Sequence, residues 1–374
     1  MTLPYWLDEP APPVPDVRVE RPDAVVVGGG ITGCSCALAL ARAGLRVRLH
    51  EAREIGGGAS GRNGGFALRG GAAPYDVTAA SVGRDAAGWL WRETEGALDR
   101  IEAIAGDAFR RTGSLRLAAD EEERVALQAE HDALRADGFE VEWVDELDPR
   151  VSRLFAGAIL HPPDAAVHPG RLVRRLAVRA GEAGVEIRQR SRVESLADVE
   201  ADHVVVATDG YPSGLLGRLE GLIVPTRGQM IATEPLAERL FDRPHYSRHG
   251  FDYWQQTPDG RILAGGFRDW SIDSEFTTVE ELTPTIQGAL ERLVQELVGR
   301  PVEITHRWAG IFGLVLDFLP VVGRVPGEDR VWVAGGYSGH GNVLGFLCGE
   351  LVADAVVGRP APELELFDPA RLLG

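Results

Sequence analysis

Residues 25–33 read VVVGGGITG, and this stretch decides the fold. Three β-branched apolar residues run into three glycines, and the small-residue run ITGCSCALALARAG follows at once. Gly28, Gly30 and Gly33 therefore carry the spacing GxGxxG between an expected strand and an expected helix. In that setting the first glycine permits a tight turn and the second lets a pyrophosphate reach the helix N-terminus. The third lets the helix pack closely on the strand. The strand is expected over 24–27 and the helix over 31–43, with Ile31 and Thr32 in its first turn. A second strand over 45–51 completes a βαβ unit. Glu51 ends that strand, where a carboxylate accepts hydrogen bonds from a ribose diol, and Ala52 and Arg53 follow it. The pattern predicts dinucleotide binding and does not by itself separate NAD from FAD.

A second glycine run follows closely. Residues 56–65, GGGASGRNGG, contain six glycines and no helix or strand periodicity. Ordering such a segment costs extra backbone entropy, which suits a place where a ligand approaches the backbone. After the acidic residue an NAD enzyme has no particular need of glycine. An FAD protein often turns back there beneath the ribityl chain and flavin. The second run thus favours FAD and marks Ala59, Ser60, Arg62, Asn63, Gly64 and Gly65 as its contacts.

The bulk composition agrees. The 374 residues exceed one compact core and fit two domains. Hydrophobic content of 44% and charged content of 25% are those of an ordinary globular protein. The net charge of −17 argues against nucleic acid and against an anionic membrane surface. All 39 basic residues are arginine, so no lysine chemistry is open to this chain. Three cysteines make neither a disulfide scaffold nor a metal-ligand spacing, and no metal is expected. The N-terminus carries acids and prolines instead of an apolar signal core, no apolar run is of spanning length, and a cytoplasmic home is expected.

Further along, helices are expected over 84–105, 120–137, 169–183, 278–299 and 341–357. Strands are expected over 112–119, 185–190, 203–207, 222–233 and 331–334, with a hairpin over 251–266 turned at 258–260. The fold class is α/β (α+β overall). A Rossmann-type FAD-binding domain takes residues 1–83, 146–221 and 305–374. A discontinuous substrate domain, built on a mainly antiparallel sheet with helices, takes 84–145 and 222–304.

These motifs carry a resemblance. The opening run followed by GASGRNGG at 58–65 resembles the amine-oxidising branch of the D-amino-acid oxidase superfamily, which holds glycine oxidase, sarcosine oxidase and γ-glutamylputrescine oxidase. The similarity continues in VVVATDGY (204–211), PTRGQMIAT (225–233), DGRILAGG (259–266), RWAGIFG (307–313) and GGYSGHGN (335–342). It implies FAD as cofactor, with Val193, Thr208, Asp209, Gly310, Gly336, Tyr337, Gly339, His340, Gly341 and Asn342 beside it. The Gly339–Asn342 amides, at the start of the last helix, are expected to favour the reduced flavin. The substrate side is expected to hold Tyr253, Phe312, Asn342 and Val343, with His340 and Tyr253 as catalytic candidates. Tyr253 and Trp254 are neighbours on a strand, so one faces the cavity and the other a core.

Two departures from the resembled branch matter. No cysteine stands near Ala309–Gly310, where sarcosine oxidase-like members bind flavin covalently, so non-covalent FAD is expected. The lysine that promotes reaction with O2 in those members has no counterpart, and the electron acceptor is O2 or unknown. Phe312 and Val343 replace charged residues that grip a substrate carboxylate in the resembled members, which predicts a small amine without a neighbouring carboxylate. Arg62, Arg69 and Arg227 are the cations that could restore such an anchor. The expected activity is oxidation of a C–N bond of a primary or secondary amine. The competing readings are an NAD-dependent dehydrogenase and, given the altered VLDF at 315–318, a flavin-binding protein without amine turnover.

Overall fold

The computed structural model describes residues 2–373. In chain order the strands and helices are β1 (Ala24–Val27), α1 (Ile31–Arg42), β2 (Val47–His50), β3 (Phe66–Ala67), α2 (Tyr75–Val82), α3 (Arg84–Ala105), β4 (Phe109–Arg110), β5 (Ser114–Ala118) and α4 (Glu121–Ala136). Then come β6 (Glu142–Val144), α5 (Pro149–Ser152), β7 (Gly157–His161), β8 (Ala165–Val167), α6 (Pro169–Glu182), β9 (Glu186–Arg188) and β10 (His203–Val206). The remainder is β11 (Val224–Thr233), β12 (His245–Ser247), β13 (Asp252–Gln256), β14 (Ile262–Gly266), α7 (Ile272–Glu275), α8 (Pro284–Val298), β15 (Ile304–Leu314), β16 (Val321–Arg324), β17 (Val331–Gly335) and α9 (Leu344–Val356). The fold is mixed α/β.

A six-stranded sheet has the order β16-β17-β10-β1-β2-β9. Its strands are parallel except at the β16 edge. The first glycine of the opening motif has φ +114°, a conformation that side-chain-bearing residues rarely adopt. Gly33 abuts the Gly28 carbonyl so closely that a Cβ could not fit, which is the tight helix–strand contact its spacing predicts. α1 packs between α6 and α9. Cys34, Cys36 and Cys348 are fully buried in that packing.

An eight-stranded sheet, β15-β11-β14-β13-β12-β5-β7-β6, is antiparallel apart from the β12–β5 pair. Strand parity gives it two faces. On one, Ile231, Trp254, Ile262 and Ala264 pack against Ile286, Leu290, Leu293 and Leu297 of α8. Those α8 residues recur at helical spacing, and their burial holds the helix to the sheet. On the other face stand Tyr246, Tyr253, Gly228, Gly310 and Phe312. Tyr246 is paired with Tyr253, and Tyr253 with Gly265. The Gly265 position leaves room only for hydrogen, so the Tyr253 ring lies across it.

The domain boundaries expected at 146 and 305 do not follow the hydrogen bonding. β7 pairs with β5 and β6, and β15 pairs with β11 along its whole length, so both belong to the eight-stranded sheet. Neither segment is among the strands expected from the sequence, so only the hydrogen bonding assigns them to a sheet. α3, expected to open the substrate domain, packs on α6 and α9. Trp91 is buried against Gly70 and Tyr75, and Trp89 is half-buried. The acidic run 120–123 is exposed at its first three residues and buried at Glu123. Asp120 caps α4 by accepting from the Glu123 N–H (2.9 Å). The Glu123 carboxylate is buried and accepts from the Arg248 and His249 amides (3.2 and 2.9 Å).

Candidate active site

A cavity of about 360 Å³ lies between the opening βαβ unit and the tyrosine face of the eight-stranded sheet. Its lining includes Gly28, Gly30, Ile31, Thr32, Glu51, Ala52, Arg53, Ala59, Ser60, Arg62, Asn63, Gly64, Val193, Thr208, Asp209, Gly310, Tyr337, Gly339, His340, Gly341 and Asn342. Thus both glycine runs, the end of β10 and the turn before α9 meet around one space. Tyr253 and Phe312 line its sheet side.

At the βαβ end, the Gly29 and Arg53 N–H groups donate to the two Glu51 carboxylate oxygens (2.6 and 2.7 Å). The carboxylate is thereby fixed at the cavity rim with lone pairs to spare. The Ile31 N–H donates to Ser60 Oγ (2.9 Å), and a Cβ on Gly30 would press on that oxygen. The next α1 amides have no intrahelical acceptor. A glycine-walled helix N-terminus beside a fixed carboxylate fits the pyrophosphate and ribose of a dinucleotide.

The second glycine run is latched from three sides. Trp6 Nε1 donates to the Asn63 carbonyl (2.7 Å) and Trp308 Nε1 to the Arg62 carbonyl (2.8 Å). Asn63 and Asn342 exchange side-chain amide hydrogen bonds. The glycines therefore serve two ends: Gly64 faces the cavity, whereas Gly65, at φ +74°, is packed against Trp6 and Val167.

Several expected contacts are corrected. Gly33, Gly65 and Gly336 do not line the cavity. Each is a packing glycine, and the Gly336 N–H donates to Asp209 Oδ1 (2.8 Å). Val343 is fully buried in the helical core and not in the cavity, so it is no substrate contact. Its place in a turn one residue ahead of α9 points it inward. Asn342 does line the cavity, but its amide is committed to Asn63 and to the Phe66 carbonyl. α9 begins at Leu344 instead of Gly341. The His340 N–H already donates to the Tyr337 carbonyl (2.9 Å), which leaves the Gly339, Gly341 and Asn342 amides as the donors of that turn.

The polar groups on the sheet side are neutral or uncommitted. Burial holds the His340 imidazole down at about 4, with Arg116 and Arg268 adding to the effect, and its Nδ1 has no hydrogen-bond partner. Burial pushes the Tyr253 phenol up to about 12, so it stays protonated. Behind His340 a smaller cavity of about 40 Å³ is walled by Arg116, Glu130, His161 and Asp164. Asp164 is pushed up to about 6 by its burial. Sequence reasoning missed Arg268, Phe66, Tyr211 and Tyr246 in the main cavity. The single signal for Arg268 was a charged residue set among aromatics directly after a strand, in GGFRDW.

Among the described residues no group of three or more His, Cys, Asp or Glu side chains could hold a metal ion. No helix among them is long and apolar enough to cross a membrane.

A doubly wound dinucleotide unit facing a mainly antiparallel sheet across one elongated cavity defines a two-part redox fold. Residues 23–355 match the family model described as FAD dependent oxidoreductase, and the chain belongs to that family, DAO, with FAD as its cofactor. Among curated proteins it is 29% identical to gamma-glutamylputrescine oxidoreductase of Escherichia coli (strain K12), over 92% of this chain and 85% of that protein. It is 27% identical to glycine oxidase of Bacillus licheniformis, over 91% of this chain and 94% of that one. The solved glycine oxidase of Geobacillus kaustophilus superposes with a TM-score of 0.77 over 94% of this chain and 99% of that chain, at 23% identity. Nothing in these likenesses supports the NAD alternative.

Proposed function

We propose that the protein oxidises a C–N bond of a primary or secondary amine. One observation carries this: a single cavity joins the Glu51 carboxylate and α1 N-terminus to the Tyr253–Phe312 wall through the Gly339–Asn342 turn. When bound there, FAD supplies hydride acceptance from the carbon next to the amine nitrogen. The resulting imine is hydrolysed to a carbonyl compound.

The chain's own residues bind, orient and exclude water. Glu51 would hold the ribose, the α1 N-terminus the pyrophosphate, and the 59–64 segment the flavin. The uncommitted amides of Gly339, Gly341 and Asn342 suit negative charge developing on the flavin ring. Phe312 and the Tyr253 ring wall off water, and the Tyr253 hydroxyl is a donor. His340 stays neutral at physiological pH, so it accepts a hydrogen bond from the amine and does not store a proton. The amine therefore has to arrive, or become, neutral before hydride leaves its carbon.

The FAD-binding unit we propose is 1–83, 146–221 and 305–374 without the β7 and β15 strands, which pass to the substrate unit of 84–145 and 222–304. Three buried thiols suit a reducing, cytoplasmic compartment.

The test is anaerobic. Purified yellow protein is mixed with primary amines, secondary amines, polyamines and amino acids, and flavin absorbance is followed. Bleaching by at least one class is expected. If none bleaches it while dithionite does, the protein binds flavin without amine turnover.

A further inference from the structure

We propose that Arg268 is the anion anchor of the site and holds a carboxylate carried by the amine substrate. This rests on the amine-oxidising reading of the same cavity and narrows its substrate class.

The other arginines that line the cavity, Arg53, Arg62 and Arg192, have partners, as do Arg69 and Arg227 next to lining residues; Arg192 pairs with Glu194 (3.2 Å). Arg53 pairs with Glu280 (2.7 Å). Arg62 donates to the Gly57 and Ala309 carbonyls (both 2.8 Å). Arg227 forks onto Glu275 with two bonds of 2.8 Å, and Arg69 is held by Glu95 and the Glu140 carbonyl. None of the three cations that could have restored an anchor is free to do so. Arg268 differs. It lines the cavity, and among the described residues it makes no hydrogen bond and no ion pair. Its chain neighbour Asp269 pairs instead with Arg248.

The guanidinium is held by aromatic faces. Its carbon lies 4.2 Å from the centre of the Phe251 ring and 5.6 Å from that of Phe312. Stacking on ring faces leaves N–H edges available, and those edges match a carboxylate in a two-point fork. The preceding backbone is bent to put it there: Phe267 has φ +59°, a left-handed conformation costly for a bulky residue, and its N–H donates to the Phe251 carbonyl (2.7 Å). Burial pushes the Arg268 pKa down from its ordinary value. Arginine nonetheless remains charged, and a half-buried cation without a protein partner is open to an anion that enters the cavity.

The sequence-based expectation of a carboxylate-free substrate took Phe312 and Val343 as the anchor positions. Val343 is outside the cavity, and Phe312 lies beside Arg268. The cation reaches the substrate end from the turn after β14 and not from β15.

The test uses the FAD-loaded protein and needs no turnover. Benzoate and benzamide are titrated by calorimetry, with the flavin spectrum reporting occupancy of the cavity. Benzoate is expected to bind at least about tenfold tighter than benzamide, the size of one charge-assisted hydrogen bond. R268M should erase that preference and R268K should restore part of it. R268Q serves in place of R268M if the latter fails to retain flavin. Equal benzoate affinity in wild type and variant, or no preference over benzamide, overturns the proposal. In parallel, N-methyl amino acids are compared with the matching N-methylalkylamines for flavin reduction. If neither bleaches the flavin and no primary amine or polyamine does so either, the amine reading fails, while the benzoate titration still decides Arg268.

Discussion

Asn63 and Asn342, 279 residues apart, exchange amide hydrogen bonds: each Nδ2 donates to the other's Oδ1 at 3.0 Å. Asn342 Nδ2 also donates to the Phe66 carbonyl (2.8 Å), and Asn63 Oδ1 also accepts from the Gly65 N–H (2.8 Å). This reciprocal pair ties the second glycine run to the turn before α9, and so fixes two walls of the cavity proposed to take the flavin.

Removing one partner strands the other. N63A should lower stability by about 1–3 kcal/mol, the cost of leaving part-buried polar groups unsatisfied. It should also lower flavin occupancy, because both walls loosen together. Thermal unfolding and the 450 nm to 280 nm absorbance ratio report the two effects. Unchanged occupancy in a destabilised protein would confine the pair to a purely structural role.

Glu51 gives the second prediction. E51A deletes the acceptor for the Gly29 and Arg53 amides and the proposed ribose contact. Each charge-assisted bond is worth about 1.5–3 kcal/mol. FAD should be lost on gel filtration while far-UV circular dichroism stays near that of the wild type. In the wild type, acid precipitation should release the colour into the supernatant, since all three thiols are buried in the α1–α9 packing. Colour left in the pellet would mean a covalent link.

Trp6 is the third. It is 2% exposed, donates to the Asn63 carbonyl and packs edge-on to His168 at 4.8 Å. W6A should cost about 3–5 kcal/mol by opening a cavity under the glycine run. A urea midpoint within error of the wild type would show that this N-terminal segment is dispensable.

The fourth concerns acid. Burial holds His245 and His340 at about 4, and His161 well below the ordinary value. As pH falls below about 6.5, the unfolded chain takes up protons on these histidines that the folded chain refuses, so stability drops. Asp164 and Asp252, pushed up to about 6, act in the opposite sense, because folding then favours their protonated form. His50 and His168 are lowered in the same way and Glu350 is raised, so five histidines stand against three carboxyls and leave a net loss. The denaturant midpoint should be lower at pH 5 than at pH 7, and a midpoint that rises on acidification would contradict the assignment.

The last concerns catalysis. Y253F should retain FAD and reduce kcat/KM by about tenfold, the loss of one hydrogen bond made near the reacting amine. The pH profile of kcat/KM should show no inflection from His340 between pH 5 and 8. An inflection in that range abolished by H340Q would make the imidazole a working base.

The sequence by itself determined the class. GxGxxG between β1 and α1, Glu51 at the end of β2, and the glycine run at 56–65 are local patterns, set by backbone sterics within a few turns of chain. Strand parity likewise put Tyr253 and Trp254 on opposite faces, and the structure sends Tyr253 to the cavity and Trp254 to the α8 core. What lay beyond local pattern was decided by tertiary structure. β7 and β15 are not among the strands expected from the sequence, and only their hydrogen-bond partners assign them. Val343 reads as a residue beside a conspicuous motif, yet one turn of backbone buries it. Arg268 reads as one arginine among 39, and its meaning is a deficit: its chain neighbour Asp269 pairs with Arg248 instead, which no spacing along the chain records.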